Sequence, residues 1–73
     1  MHRAPPSLEQ IRRLARIRDL AAYVWESETD ALAWMEVAHP ELDGRTPHEA
    51  AATEEDTARV EALLWRLFYG IPG

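Results

Sequence analysis

An all-α fold, a compact bundle of about four helices with long first and last members and two short ones between, follows from three observations on this sequence. Apolar residues recur every three or four positions, the spacing of one helix face. Ser7, Ser27, Thr46 and Thr53 are each followed three residues later by Gln, Asp or Glu, the pattern of a helix start. Pro40, Asp43-Gly44 and Gly70 punctuate the chain where helices must stop, and no segment alternates as a strand would.

Residues 1–6 are predicted to form a short flexible arm, because Pro5-Pro6 blocks an earlier helix start. Residues 7–73 are predicted to form one helical domain. Ser7 caps the first helix with Gln10 placed to reach back, and Leu8, Ile11, Leu14, Ala15, Ile17, Ala21, Ala22, Val24 and Trp25 supply a broad apolar stripe. A stripe that wide is expected to bury more than one side. Glu9 lies one turn before Arg12 and Arg13 and is expected to pair with them weakly. Ser27 opens the second helix with Asp30 as its reciprocal cap, and Ala31, Leu32, Trp34, Met35 and Ala38 form its apolar face. That helix ends before His39, since Pro40 disfavours helical angles in the residue preceding it. Asp43-Gly44 marks a turn. In Thr46-Pro47-His48-Glu49, threonine caps, proline takes the first helical position and glutamate closes the box. Thr53 opens the last helix, with Asp56 as the reciprocal partner, Val60, Leu63, Leu64, Leu67 and Phe68 on its core face, and Gly70 at its end.

With 73 residues, the chain is one domain or less, and a domain of this size gains much from a partner. It has no cysteine, so disulfides and thiolate metal sites are excluded, and its apolar runs are far too short for a membrane span. No signal-peptide pattern is visible, and a cytoplasmic location is expected. The net charge of −5 divides unevenly. Residues 1–25 carry five arginines and two carboxylates, a net of +3, whereas residues 26–73 carry three arginines and eleven carboxylates, a net of −8. That balance argues against DNA binding by this chain alone and favours a protein partner with a basic surface.

Catalysis finds little support. Ser7 and Ser27 are both helix caps, and the three glycines form no phosphate loop, so neither an enzyme nor a bound cofactor is expected. His39, Glu41, Asp43 and His48 cluster around the connector but match no metal-ligand spacing, so no metal is expected either. The first-helix arginines are scattered around the axis and read as a solvated or salt-bridged surface. On the last helix, Ala58, Ala62, Trp65 and Tyr69 form a second apolar stripe behind the core face. Two readings fit it: Trp65 packs inward on Trp25 or Trp34, or the stripe anchors a partner.

Several segments, in order, resemble the toxin-binding domain of Xre-, MbcA- and ParS-type antitoxins: Val24-Trp25, Ala31-Leu32-Ala33-Trp34-Met35, Pro40-Glu41-Leu42-Asp43-Gly44, Arg45-Thr46-Pro47 and Phe68-Tyr69-Gly70. The likeness spans residues 10–73. Within it, His39 stands where asparagine is usual, Asp43 where a second glycine is common, and His48 and Ala50 where leucine or a similar residue is frequent. The helix-turn-helix region that typically precedes the domain is not matched by residues 1–6. The resemblance implies a RES-domain-like protein toxin as partner, an NAD-consuming enzyme neutralised when the antitoxin covers its active-site cleft. The residues it implicates are Trp65, Tyr69, Gly70, Ile71, Pro72 and Gly73 at the C-terminal end, and Arg45, read as either a toxin contact or a brace for the connector. A homodimer is consistent with the same family. The alternative is a self-associating structural or regulatory module with no toxin partner.

Overall fold

The computed structural model describes residues 7–70. It contains α1 (Leu8–Trp25), α2 (Glu28–Met35), a single 3-10 turn at Pro40–Leu42, α3 (Pro47–Ala50) and α4 (Glu54–Phe68). The two long helices pack against each other and α2 lies against α1, so the all-α bundle with long outer members and short inner ones is the fold observed.

The helix starts form where the local chemistry requires them. Ser7, Ser27, Thr46 and Thr53 each accept a hydrogen bond from the backbone N–H three residues on, at 3.0–3.1 Å. Among these, the reciprocal carboxylate bond closes at Thr46, whose N–H donates to Glu49 Oε1 at 2.8 Å. The reciprocal partners expected at Gln10, Asp30 and Asp56 do not form; the Asp56 carboxylate turns instead to arginines. α1 ends at Glu26, which takes left-handed angles (φ 52°) that most residues avoid. Gly70 (φ 57°) ends α4, its N–H donating to the Leu67 carbonyl at 3.2 Å.

The connector is a small hydrogen-bonded knot. Asp43 and Gly44 have φ of 58° and 79°, consecutive left-handed residues as in a type I′ turn, and the Arg45 N–H closes the turn on the Leu42 carbonyl at 3.1 Å. His39 and Arg45 pair across it as an isolated antiparallel bridge. Asp43 tolerates the left-handed angle where glycine is common because its short polar side chain is among the few that do.

The core consists of Ile17 and Ala21 from α1, Ala31, Trp34 and Met35 from α2, Leu42 from the connector, Ala50 and Ala51, and Val60, Leu63 and Leu64 from α4. Trp34 is covered by His39, with ring centroids 4.8 Å apart, so the histidine serves as part of the core lid. Three expectations on burial are corrected. Leu67 and Phe68 are exposed, because the core face of α4 ends at Leu64. Leu32 and Ala38 are exposed as well, leaving α2 a narrower buried face. α1 buries only Ile17 and Ala21 fully; Leu8, Ile11 and Trp25 face solvent.

Polar clamps fasten α1 to the rest of the chain. Arg13 donates from Nε to the Ala51 carbonyl at 2.7 Å and from Nη2 to the Ala52 carbonyl at 2.9 Å, which satisfies carbonyls left free at the end of α3. It therefore does not serve the local pairing with Glu9. Arg16 bridges Glu54 at 2.9 Å and Glu61 at 2.8 Å on α4. Hydrogen bonding to Glu54 first, then Glu61, raises the Arg16 pKa, and the same bond holds the Glu54 carboxyl below its ordinary value. The expectation of a salt-bridged arginine surface holds for Arg16, whereas Arg13 is held by backbone carbonyls.

Candidate functional site

Where α4 runs past the core, it meets the end of α1, and four aromatic rings gather there. Tyr23 lies 5.2 Å from Phe68 and 6.4 Å from Trp65, centroid to centroid. Trp65 contacts Phe68 edge-on at 5.7 Å and stacks on Tyr69 at 5.9 Å, while Phe68 and Tyr69 meet at 5.3 Å. These separations fall in the range favoured for aromatic pairs, so the rings support one another without being buried. Tyr23 keeps 59% of its surface exposed, Trp65 39%, Phe68 41% and Tyr69 73%. Beside them, Ala22, Tyr23, Val24, Glu26 and Phe68 line an open cleft of about 570 Å³.

The inward reading of Trp65 is not what the structure shows. Trp65 does not pack on Trp25 or Trp34 inside the domain; its ring partners are Tyr23, Phe68 and Tyr69 at the surface. Trp65 and Tyr69 are thus brought together, and Gly70 follows directly. Ile71, Pro72 and Gly73 lie outside the described residues. Tyr23 and Phe68 are the members that sequence reasoning did not assign to the site. Tyr23 belongs to no apolar stripe on α1, and Phe68 follows the helical spacing of the core, so neither carries a local signal of exposure.

Arg45 sits elsewhere. Its Nε donates to the Leu42 carbonyl at 3.2 Å and its Nη1 to Asp56 at 2.9 Å, tying the connector to the start of α4. That bond is the main reason the Asp56 carboxyl is held below its ordinary pKa. Arg59 reinforces the tie through the Glu41 carbonyl at 2.9 Å and Asp43 at 3.3 Å. From Asp56 to Trp65 the helix rises by about 13 Å, so Arg45 and the aromatic cluster are separate features.

Among the described residues, no three His, Cys, Asp or Glu side chains gather as a metal site, and no helix is long and apolar enough to cross a membrane. His48 Nδ1 contacts Glu36 at 3.1 Å on the surface, while His39 Nε2 is buried without a hydrogen-bond partner. What the fold presents is a small helical module with an exposed aromatic cluster at one end. Residues 20–70 match the sequence pattern of the antitoxin Xre/MbcA/ParS C-terminal toxin-binding domain. The chain belongs to that family, and the match confirms the resemblance carried by its connector and aromatic motifs. No curated protein matches it.

Proposed function

We propose that this chain is the toxin-binding module of a cytoplasmic antitoxin and that it neutralises an NAD-consuming, RES-domain-like toxin by covering its active-site cleft. The family membership supports toxin binding, and the observation that carries the reading of the site is the exposed ring cluster of Tyr23, Trp65, Phe68 and Tyr69. Solvent-facing apolar patches mark interaction sites, and Trp and Tyr are the residues that most often anchor them. Gly70, Ile71, Pro72 and Gly73 continue directly from the cluster and would extend contact into the cleft where NAD binds. Carboxylates of the acidic part of the chain complement basic groups that otherwise hold the pyrophosphate. Arg45 enters this reading as the residue that shapes the connector. The module acts by exclusion and performs no chemistry itself.

The test is cellular NAD after induction of the cognate toxin, with and without this chain. Wild-type chain should prevent NAD loss. Trp65→Ala or Tyr69→Ala should weaken complex formation by about 2 kcal/mol or more, roughly thirtyfold, while leaving helicity intact. Deleting residues 70–73 with neutralisation undiminished would remove the plug element. Self-association through the same rings is the competing reading. It predicts a concentration-dependent homo-oligomer that Tyr69→Ala dissolves, with no effect on NAD.

A further inference from the structure

We propose that the open cleft at the end of α1 receives one arginine side chain of the protein partner, held between the Glu26 carboxylate, the last carbonyls of α1 and the Tyr23 and Phe68 rings. This names the chemistry by which the aromatic cluster selects its toxin, and it rests on that reading of the cluster. The cleft, of about 570 Å³, is lined by Ala22, Tyr23, Val24, Glu26 and Phe68.

Glu26 occupies a position that is unfavourable twice over, and nothing within the described domain compensates. It holds left-handed angles (φ 52°, ψ 32°), which a residue with a side chain resists. It also sets a negative charge at the C-terminal end of a helix, where the backbone dipoles already place about half a negative charge. Helices commonly end in glycine at such a position and gain from a cation in the last turn; α1 has neither. Asp43, the other non-glycine residue with positive φ among those described, is paired with Arg59 at 3.3 Å. Glu26 is exposed, and among the described residues its carboxylate enters no ion pair; Glu28 and Asp30 just beyond it enter none either. Backbone strain of this kind gathers at ligand clamps, where function retains it.

The walls of the cleft suit a guanidinium. Tyr23 and Phe68, with centroids 5.2 Å apart, present ring surface on which a planar cation stacks. Ala22, Tyr23 and Val24 belong to the last turn of α1, where carbonyls lack donors within the helix. A carboxylate beside several carbonyls matches a group with five donors in one plane. α4 ends at the same place and adds the negative end of a second helix. Its own last-turn cation, Arg66, lies two residues before Phe68, about 200° around the axis, and faces away from the cleft.

The experiment titrates the full chain with N-acetyl-arginine amide, followed by amide and aromatic chemical shifts. Saturable shifts are expected at residues 22–26 and 68 with millimolar affinity, and the uncharged analogue N-acetyl-citrulline amide should produce none. Glu26→Gln, which keeps the backbone and removes only the charge, should weaken arginine binding by about tenfold or more. Glu26→Gly should abolish it while raising the melting temperature, a combination that a purely structural role for Glu26 does not give. Equal shifts with citrulline, unchanged affinity in Glu26→Gln, or no saturable shift would each overturn the site. The toxin complex is scored separately: Glu26→Gln should loosen it by about tenfold with helicity unchanged. A complex weakened by Trp65→Ala but untouched by Glu26→Gln overturns the arginine contact and leaves toxin binding standing. A complex untouched by both variants overturns the cluster as the toxin site, and the proposal with it.

Discussion

Leu64 and Leu67 occupy the same helix three residues apart, and replacing each with alanine tests where the core ends. Both substitutions have the same effect on intrinsic helix propensity, so that contribution cancels. Leu64 is fully buried in the core cluster, and its loss leaves a cavity there; such a change costs about 2–5 kcal/mol. Leu67 keeps 45% of its surface exposed, so its truncation forfeits about half of a leucine's transfer energy, roughly 1 kcal/mol, and leaves space that water can fill. The chain's total stability is on the order of 4–11 kcal/mol by the usual per-residue scale. Leu64→Ala therefore removes a large fraction of it. At about 4–8 °C per kcal/mol for a domain of this size, the two melting temperatures should differ by roughly 4 °C or more. Urea unfolding followed by circular dichroism gives the same comparison in free energy. Equal destabilisation by the two variants would refute the reasoning. It would mean that the last turn of α4 is buried and that the aromatic cluster is not a surface.

Acid should destabilise the fold in a definite window. Glu49, Glu54 and Asp56 have folded-state pKa values below their ordinary ones, chiefly through hydrogen bonds from the Thr46 backbone, Arg16 and Arg45 respectively. Over that window the unfolded chain binds more protons, so their stabilisation is complete above about pH 4.5 and is lost as pH falls through the lowered values. Melting temperature should decline below that pH, and Arg16→Gln should flatten the part due to Glu54; a rising or level profile would contradict the assignment. Glu26→Gly should raise stability by about 0.5–1 kcal/mol, since glycine accepts the left-handed angles at the end of α1 without the strain of a side chain. A loss of stability in thermal melts would show that Glu26 contributes more by its contacts than its backbone costs.

The parts of the fold that could be read from sequence are those set within a few residues. Ser7, Ser27, Thr46 and Thr53 cap helices because the donor each satisfies lies three positions away. Asp43-Gly44 turns because both residues tolerate positive φ. Periodicity names a helix's apolar side but not how far along its axis a neighbour reaches, and so Leu67 and Phe68 resembled core residues. Arg13 and Arg16 find partners 38–45 residues away, which no local pattern encodes. The site was half legible for the same reason. Trp65 and Tyr69 share a helix face and could be paired from spacing alone, whereas Tyr23 joins them only through the packing of α1 on α4.

That last point ties recognition to folding. One wall of the ring cluster comes from the first helix and the other from the last, so the surface exists only while the two ends of the domain are held together. A partner that grips Tyr23 and Phe68 at once acts as a staple across the whole chain, binding the folded form and not the unfolded one. At a hundred times its dissociation constant such a partner adds about 2.7 kcal/mol of stability, a large share of what a domain this small possesses. The free chain is therefore the form most open to unfolding and proteolysis, and its lifetime becomes a measure of how much of it is bound.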